Sequence, residues 1–366
     1  MPAFACPHIL QCKFIFSEGG GWVKKLKFWG AACIFAIILM RPQEAVTAAQ
    51  RAMGVWCVSV APTLFPFLVL MPLLTNEDAC TAYEAMFSKC MRVLFGLSGA
   101  AAPAVVVGMI AGSPAGAIAL RRIAANSNIK PGEARRIALA VSGVSPAYLI
   151  MGVGQGLYGS RTLGMKLAGI QLCIQLLLLV LLPRGKQEDA DVTCLAEEKE
   201  NRNPISMAVE GLLGICGYMV FFSTVAGVAA SFAGEKIGGG LLLALDLPSG
   251  LANLASMQIS AKMVLLGASV GFGGLCIACQ NMDILKDIGL CWKNYLKIRC
   301  ITASLFACAG VMLEGLFVRE ASELFENCMK SYAGALLIVG FMVVPGLFLL
   351  SKKLFLNNQK YRGDQA

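Results

Sequence analysis

The sequence has a single histidine among 366 residues, His8, close to its start. Histidine-based acid–base chemistry and His-rich metal sites therefore have almost no material. Charge is scarce as well, at 14% of residues against about 25% in soluble domains. With 57% hydrophobic residues and a mean hydropathy of +0.69, so few charges cannot cover a water-facing surface. The apolar content excludes disorder, and 39 glycines without a three-residue period exclude a collagen-like chain. There is no phosphate-cradling loop, no nucleophile–base pair, and no second CxxC beside Cys276-Ile-Ala-Cys279. What remains is an all-α polytopic membrane protein, not an enzyme, with no metal and no bound cofactor.

Charge placement supports this class. Lys and Arg number 31 against 22 Asp and Glu, a formal charge of +9, and they sit in short loops beside apolar runs. That is the retention pattern of cytoplasmic loops, so the expected partner is the lipid bilayer and not nucleic acid. Most of the fifteen cysteines, Cys33, Cys57, Cys173 and Cys216 among them, lie inside apolar runs, where cysteine acts as a small hydrophobe.

Along the chain, residues 1–21 read as a disordered leader. Residues 22–40 read as a first helix with its N-terminus inside; a signal peptide cleaved near Thr47-Ala48-Ala49 is the alternative. Residues 52–74 are long enough to span but carry Pro62, Pro66 and Pro72, so this helix should face protein or a cavity. In 80–95, Tyr83, Met86, Phe87, Cys90, Met91 and Leu94 form one helical face opposite Glu84, Lys89 and Arg92, as in a helix lying at the interface. Apolar runs follow at 97–120, 138–158 and 162–182, which completes a first membrane half over 22–182. The mixed-charge loop 183–204 is a solvated connector. A second half over 205–351 holds runs at 205–232, 238–257, 263–284, 295–317 and 333–350. A basic tail, 352–366, places the C-terminus inside. Both ends inside require an even number of crossings, expected to be about eight, with some stretches forming re-entrant hairpins.

The halves resemble each other. Ser113-Pro114-Ala115-Gly116-Ala117 matches Leu247-Pro248-Ser249-Gly250-Leu251 at an offset of 134 residues (113 to 247). The same offset carries Ser145-Pro146 onto Cys279-Gln280, at the end of a Gly-rich segment that includes Gly273-Gly274. Paired Gly/Pro-interrupted segments in two halves point to a transporter's midplane site, as in inverted-repeat carriers. A broken helix exposes N–H and C=O groups that lipid cannot satisfy, so they must line a cavity or bind something. Packing by small residues is the plainer reading for any one Gly or Pro. Intramembrane polar groups narrow the place further. Asp246 follows the apolar stretch 240–245 and is a functional candidate by default, a helix cap being the alternative. Ser113, Ser142 and Ser145 supply hydroxyls in the first half, and Gln280, Asn281 and Asp283 cluster in the second. Lys262 and Glu314 fit helix ends, where long chains snorkel.

On these residues the chain resembles the YlbJ family of sporulation integral membrane proteins, within the nucleoside-recognition (Gate) superfamily. The resemblance runs from about residue 24 to 350. Its marks are Ala61-Pro-Thr-Leu-Phe-Pro-Phe67, Gly112-Ser-Pro-Ala-Gly-Ala117, Lys130-Pro-Gly-Glu-Ala-Arg-Arg136, Ser145-Pro146, Asp246 through Gly250, and Gly273-Gly-Leu-Cys-Ile-Ala-Cys-Gln280. It implies a fold similar to concentrative nucleoside transporters, and a role in moving dipicolinic acid across the outer forespore membrane. This chain departs from the family in having Asp246 where Glu is usual, Ile118 at a basic position, Cys276 where Ser is common, and only Ser142-Gly-Val-Ser145 in place of an Asn-rich run.

The expectation is a permease for a small anionic or heteroaromatic solute, working by alternating access. Ser113, Ser145, Asp246, Ser249 and Gln280 supply polar contacts, and Pro114, Gly116, Pro146, Pro248, Gly250, Gly273 and Gly274 shape the backbone. Asp246 is the group that could couple transport to a proton or cation. A non-transporting membrane scaffold for spore or envelope assembly is the alternative, and homo-oligomerisation is left open.

Overall fold

The computed structural model describes residues 21–126, 129–183, 203–257 and 261–317. The leader at 1–20, nearly all of the 183–204 connector, the run at 333–350 and the basic tail lie outside them. The described residues form helices α1 (Gly21–Met40), α2 (Pro42–Val55), α3 (Ala61–Leu74), α4 (Glu77–Cys90), α5 (Ala102–Ala111), α6 (Ala115–Asn126), α7 (Pro131–Val141), the π-wound α8 (Tyr148–Leu157) and α9 (Arg161–Leu181). The second half continues with α10 (Pro204–Ala233), α11 (Glu235–Leu245), α12 (Leu247–Ser256), α13 (Lys262–Phe272), α14 (Gly274–Ile284) and α15 (Trp292–Phe317).

Among the described residues five helical stretches are long and apolar enough to cross a membrane: Pro42–Leu74, Arg161–Leu181, Pro204–Ala233, Lys262–Ile284 and Trp292–Met312. A sixth arises if Glu77–Phe95 and Gly99–Ala111, bent by 104°, are one broken span. Large apolar side chains on these helices face outward, with Val58 82% exposed and Met312 74%. Water would make such a surface aggregate, whereas lipid solvates it.

The proline-rich stretch is not broken. α2 runs into α3 through a π-turn, Trp56–Val60, which precedes Pro62 and absorbs the geometry its ring imposes. The Thr63 hydroxyl donates to Ser59 O at 2.9 Å, returning a donor to the loosened ladder. The 80–95 periodicity does fold as helix. Asn76 caps α4 by accepting from Ala79 N at 2.8 Å. Tyr83, Phe87 and Cys90 lean on the core, while Met86 points away from it, 71% exposed.

Element order repeats. In each half two interrupted helix pairs precede one long helix: α5/α6, α7/α8 and α9, then α11/α12, α13/α14 and α15. Close packing comes from small residues. A Cβ added to Gly271 would stand 2.5 Å from Thr302 O, and one on Gly310 would stand 2.6 Å from Met263 O, so α13 and α15 touch backbone to backbone. Gly154 and Gly164 do the same for α8 and α9, at 2.5 Å from the added Cβ to Gly164 Cα.

Candidate functional site

Four interruptions meet near the centre of the protein. In the first, α5 stops at Ala111 and Gly112 takes φ +63°, a turn that leads through the cis Ser113–Pro114 peptide into α6. In the second, α7 stops at Val141 and the chain runs through Ser142–Ser145 to α8. These two extended pieces pair: Ser113 and Val144 form an isolated parallel bridge, and Ser113 N donates to Gly143 O at 2.7 Å. In the third, Asp246 is extended between α11 and α12 (φ −131°, ψ 100°). In the fourth, Gly273 and Gly274 both have positive φ, +84° and +76°, between α13 and α14. The third and fourth also touch, since a Cβ on Gly274 would lie 3.1 Å from Leu247 N.

This corrects the repeat offset. The value of 134 holds for Pro114 and Pro248, but the fourth interruption is at Gly273–Gly274 and not at Cys279–Gln280. The counterparts are Gly143 and Gly273, an offset of 130 (143 to 273). Gln280 lies inside α14. The stretch from Pro114 to Gly143 is four residues longer than that from Pro248 to Gly273 (29 against 25), which no motif match at one offset can show.

A cavity of about 30 Å³ sits where the interruptions converge, walled by Ser113, Pro114, Val144, Ser145, Tyr148, Pro248, Cys276 and Gln280. Val60 and Leu64 of the first span, Ile215 and Met219 of α10, and Ile277 close it with apolar surface. The wall residues Pro114, Tyr148, Pro248 and Cys276 all lie at the N-terminal ends of half-helices α6, α8, α12 and α14. Each such end carries a partial charge of about +0.5 from its free N–H groups. Among the described residues the cavity wall contains no basic side chain, so the half-helix N-termini are its positive partial charges.

Several buried polar atoms here have no hydrogen-bond partner among the described residues: Ser145 Oγ, the Tyr148 hydroxyl, Gln280 Oε1 and Asp246 Oδ1. Leaving each unsatisfied costs about 1–3 kcal/mol in a dry interior, so this is where a ligand or water gains most. Asp246 is completely buried, the one buried acid among the described residues. Although it stands at the N-cap position of α12, its side chain makes no capping bond. Ser223 Oγ of α10 instead donates to Asp246 Oδ2 at 2.7 Å and lies 3.0 Å from Ser249 Oγ. Asp246 does not reach the cavity wall itself; Cys276, which does, interacts with its carboxyl.

The twelve residues singled out from sequence divide accordingly. Ser113, Pro114, Ser145, Pro248 and Gln280 line the cavity, and Asp246 and Ser249 form the hydroxyl–carboxyl cluster behind it. Gly116 and Gly250 serve packing, facing Gly108 O at 2.9 Å and Leu243 Cα at 2.6 Å from their added Cβ atoms. Gly273 and Gly274 make the turn, and Pro146 leads into α8 without touching the cavity.

Asn281 and Ser142 are among the polar groups singled out from sequence, whereas Tyr295, Arg299 and Gln175 escape it. Asn281 Nδ2 donates to Ser113 Oγ at 2.9 Å and to the Tyr295 hydroxyl at 2.7 Å, a side-chain link between the halves. Arg299 of α15, only 3% exposed, donates to Ser142 O at 2.7 Å and Leu139 O at 3.3 Å. Gln175 of α9 donates to Val141 O at 3.3 Å, and Ser142 Oγ to Ala138 O. The carbonyls freed at the end of α7 are thereby satisfied by side chains from two other helices and by its own cap residue. The signal that finds Arg299 and Gln175 is polarity within an apolar run.

No family model and no solved structure matches the chain. Among curated proteins it is similar to the sporulation integral membrane protein YlbJ of Bacillus subtilis (strain 168), with 22% identity over 324 residues, covering 76% of this chain and 79% of the relative. That similarity supports the assignment of this chain, a multi-pass helical membrane protein, to the YlbJ family.

Proposed function

We propose that the protein is a permease for a small anionic or heteroaromatic solute, such as dipicolinate, acting by alternating access between its two halves. The observation that carries this reading is the convergence of four helix interruptions on one central cavity. Interruptions scattered for packing would have no reason to meet, whereas a carrier needs half-helix ends at its midplane site. The half-helix N-termini favour an anion, the free Tyr148 hydroxyl offers it a donor, and Val60, Leu64, Ile215, Met219 and Ile277 suit a ring. A cavity of about 30 Å³ holds roughly two waters, while pockets for drug-sized ligands exceed about 300 Å³. The arrangement therefore corresponds to a closed state whose walls part to admit solute.

The name of the Bacillus subtilis relative supports a setting in sporulation; the proposed site of action is the outer forespore membrane. A nucleoside-transporter-like architecture of about eight crossings, with both termini cytoplasmic, accommodates the described helices together with the run at 333–350. The test is thermal stabilisation of the purified protein by dipicolinate, nucleosides and simple dicarboxylates. A saturable shift with a carboxylate is expected. No shift with any of them would favour a non-transporting scaffold for spore or envelope assembly.

A further inference from the structure

Asp246 stands directly behind the cavity wall. Tyr148 lines the cavity and feels the Asp246 charge, and Cys276 lines it and interacts with the same carboxyl. The groups that face Asp246 are Ser223 from α10, Ser249 from α12, Cys276 from α14 and Tyr148 from α8. None is basic. The carboxylate is thus the resident anion at a place where half-helix N-termini converge, with only hydroxyl, thiol and phenol groups around it. A second anion in the cavity would lie one side chain away in a low-dielectric interior, where like charges repel strongly.

Two features make that conflict resolvable. Oδ1 of Asp246 has no partner among the described residues, so a proton can be held there while Oδ2 keeps its bond from Ser223. Among the described residues the hydroxyls of Tyr148 and Ser145 make no hydrogen bond of normal geometry; both are at least nine-tenths buried and set in the cavity wall, where an anion would supply an acceptor. We infer that an anion enters the cavity only when Asp246 takes up a proton from water, so that one carboxylate group and one proton bind together. The proton forms an O–H bond at Asp246 and is released to water when the anion leaves. This inference rests on the anion-permease reading and adds the coupling to it.

The test uses the full-length purified protein, with dipicolinate and succinate as probes. Affinity is read from thermal shifts between about pH 5 and about pH 8, and proton uptake is followed in weakly buffered solution. One proton per anion predicts affinity falling about tenfold per pH unit on the alkaline limb. Asp246→Asn should bind with a flat profile and take up no proton, whereas Ser223→Ala should keep the slope and move its position. An unchanged slope in Asp246→Asn, or wild-type binding without proton uptake, would overturn the coupling and leave the permease reading intact. If Asp246→Asn does not fold, the wild-type uptake measurement still decides. Absence of any shift with both carboxylates at every pH would remove the anion reading, and the coupling with it.

Discussion

The interruptions of α7 and α13 occupy matching places in the two halves and are stabilised in opposite ways. At the end of α7 the freed carbonyls are met mainly from outside, by Arg299 and Gln175, with the Ser142 hydroxyl adding a local bond and Gly143 O met by Ser113 N. At the end of α13 the chain turns on itself through positive-φ glycines, Gly273 N returns to Ser269 O at 2.8 Å, and the Thr302 hydroxyl donates to Gly271 O at 2.6 Å. Arg299 and Thr302 are three residues apart on α15, so one helix serves both interruptions. The first half therefore depends on long-range polar contacts. The second depends more on local backbone geometry, and its acid, Asp246, is held only by hydroxyl, thiol and backbone groups of Ser223, Ser249 and Cys276 among the described residues.

This contrast can be broken at graded points. The largest effect is expected for Gly112→Ala. A side chain there meets the backbone of Ser145 and stands 2.9 Å from Val144 C, and φ is +63°. A loss above about 4 kcal/mol, read as failure to accumulate folded protein, should follow. Gly273→Ala has the same left-handed strain but open space around it, so only about 1–2 kcal/mol is expected. Equal losses at the two glycines would contradict the assignment of close backbone approach to Gly112 and open space to Gly273.

Arg299→Met should cost about 2–3 kcal/mol in detergent unfolding, because two buried carbonyls lose their donor. Thr302→Val, at the other interruption, removes one hydroxyl donor and should cost about 1 kcal/mol. The reverse order would mean that the second half, not the first, relies on α15. The smallest effect belongs to the pair Arg121–Asp287, 3.2 Å apart and partly exposed, which links α6 to the segment after α14. Arg121→Gln should change stability by about 0.5 kcal/mol or less, with the difference vanishing at high salt.

Sequence made some of this legible and concealed the rest for physical reasons. Pro114 and Pro248 announce their interruptions because proline cannot continue a helix ladder, and Ser113, Ser145 and Gln280 stood out as polar groups in apolar surroundings. Asp246 was visible on the same ground. Ser223 was not, because a lone serine in the 30-residue apolar α10 resembles any small packing residue. Arg299 meets carbonyls of the other half and Tyr295 meets Asn281 of α14, so their meaning depends on tertiary contacts rather than on spacing. The apolar wall of Val60, Leu64, Ile215 and Met219 has no signature against the background of lipid-facing side chains. Only the fold separates inward from outward.

The central claim, that the converging interruptions enclose a site that opens alternately to the two sides of the membrane, can be tested without knowing the solute. Cys276 is fully buried and lines the cavity, so it can serve as the single thiol once the other cysteines are replaced. A small charged methanethiosulfonate, applied to sealed vesicles of either orientation, should modify Cys276 from both faces, faster from one than from the other. Modification from neither face, in protein whose thiol reacts once unfolded, would contradict the account.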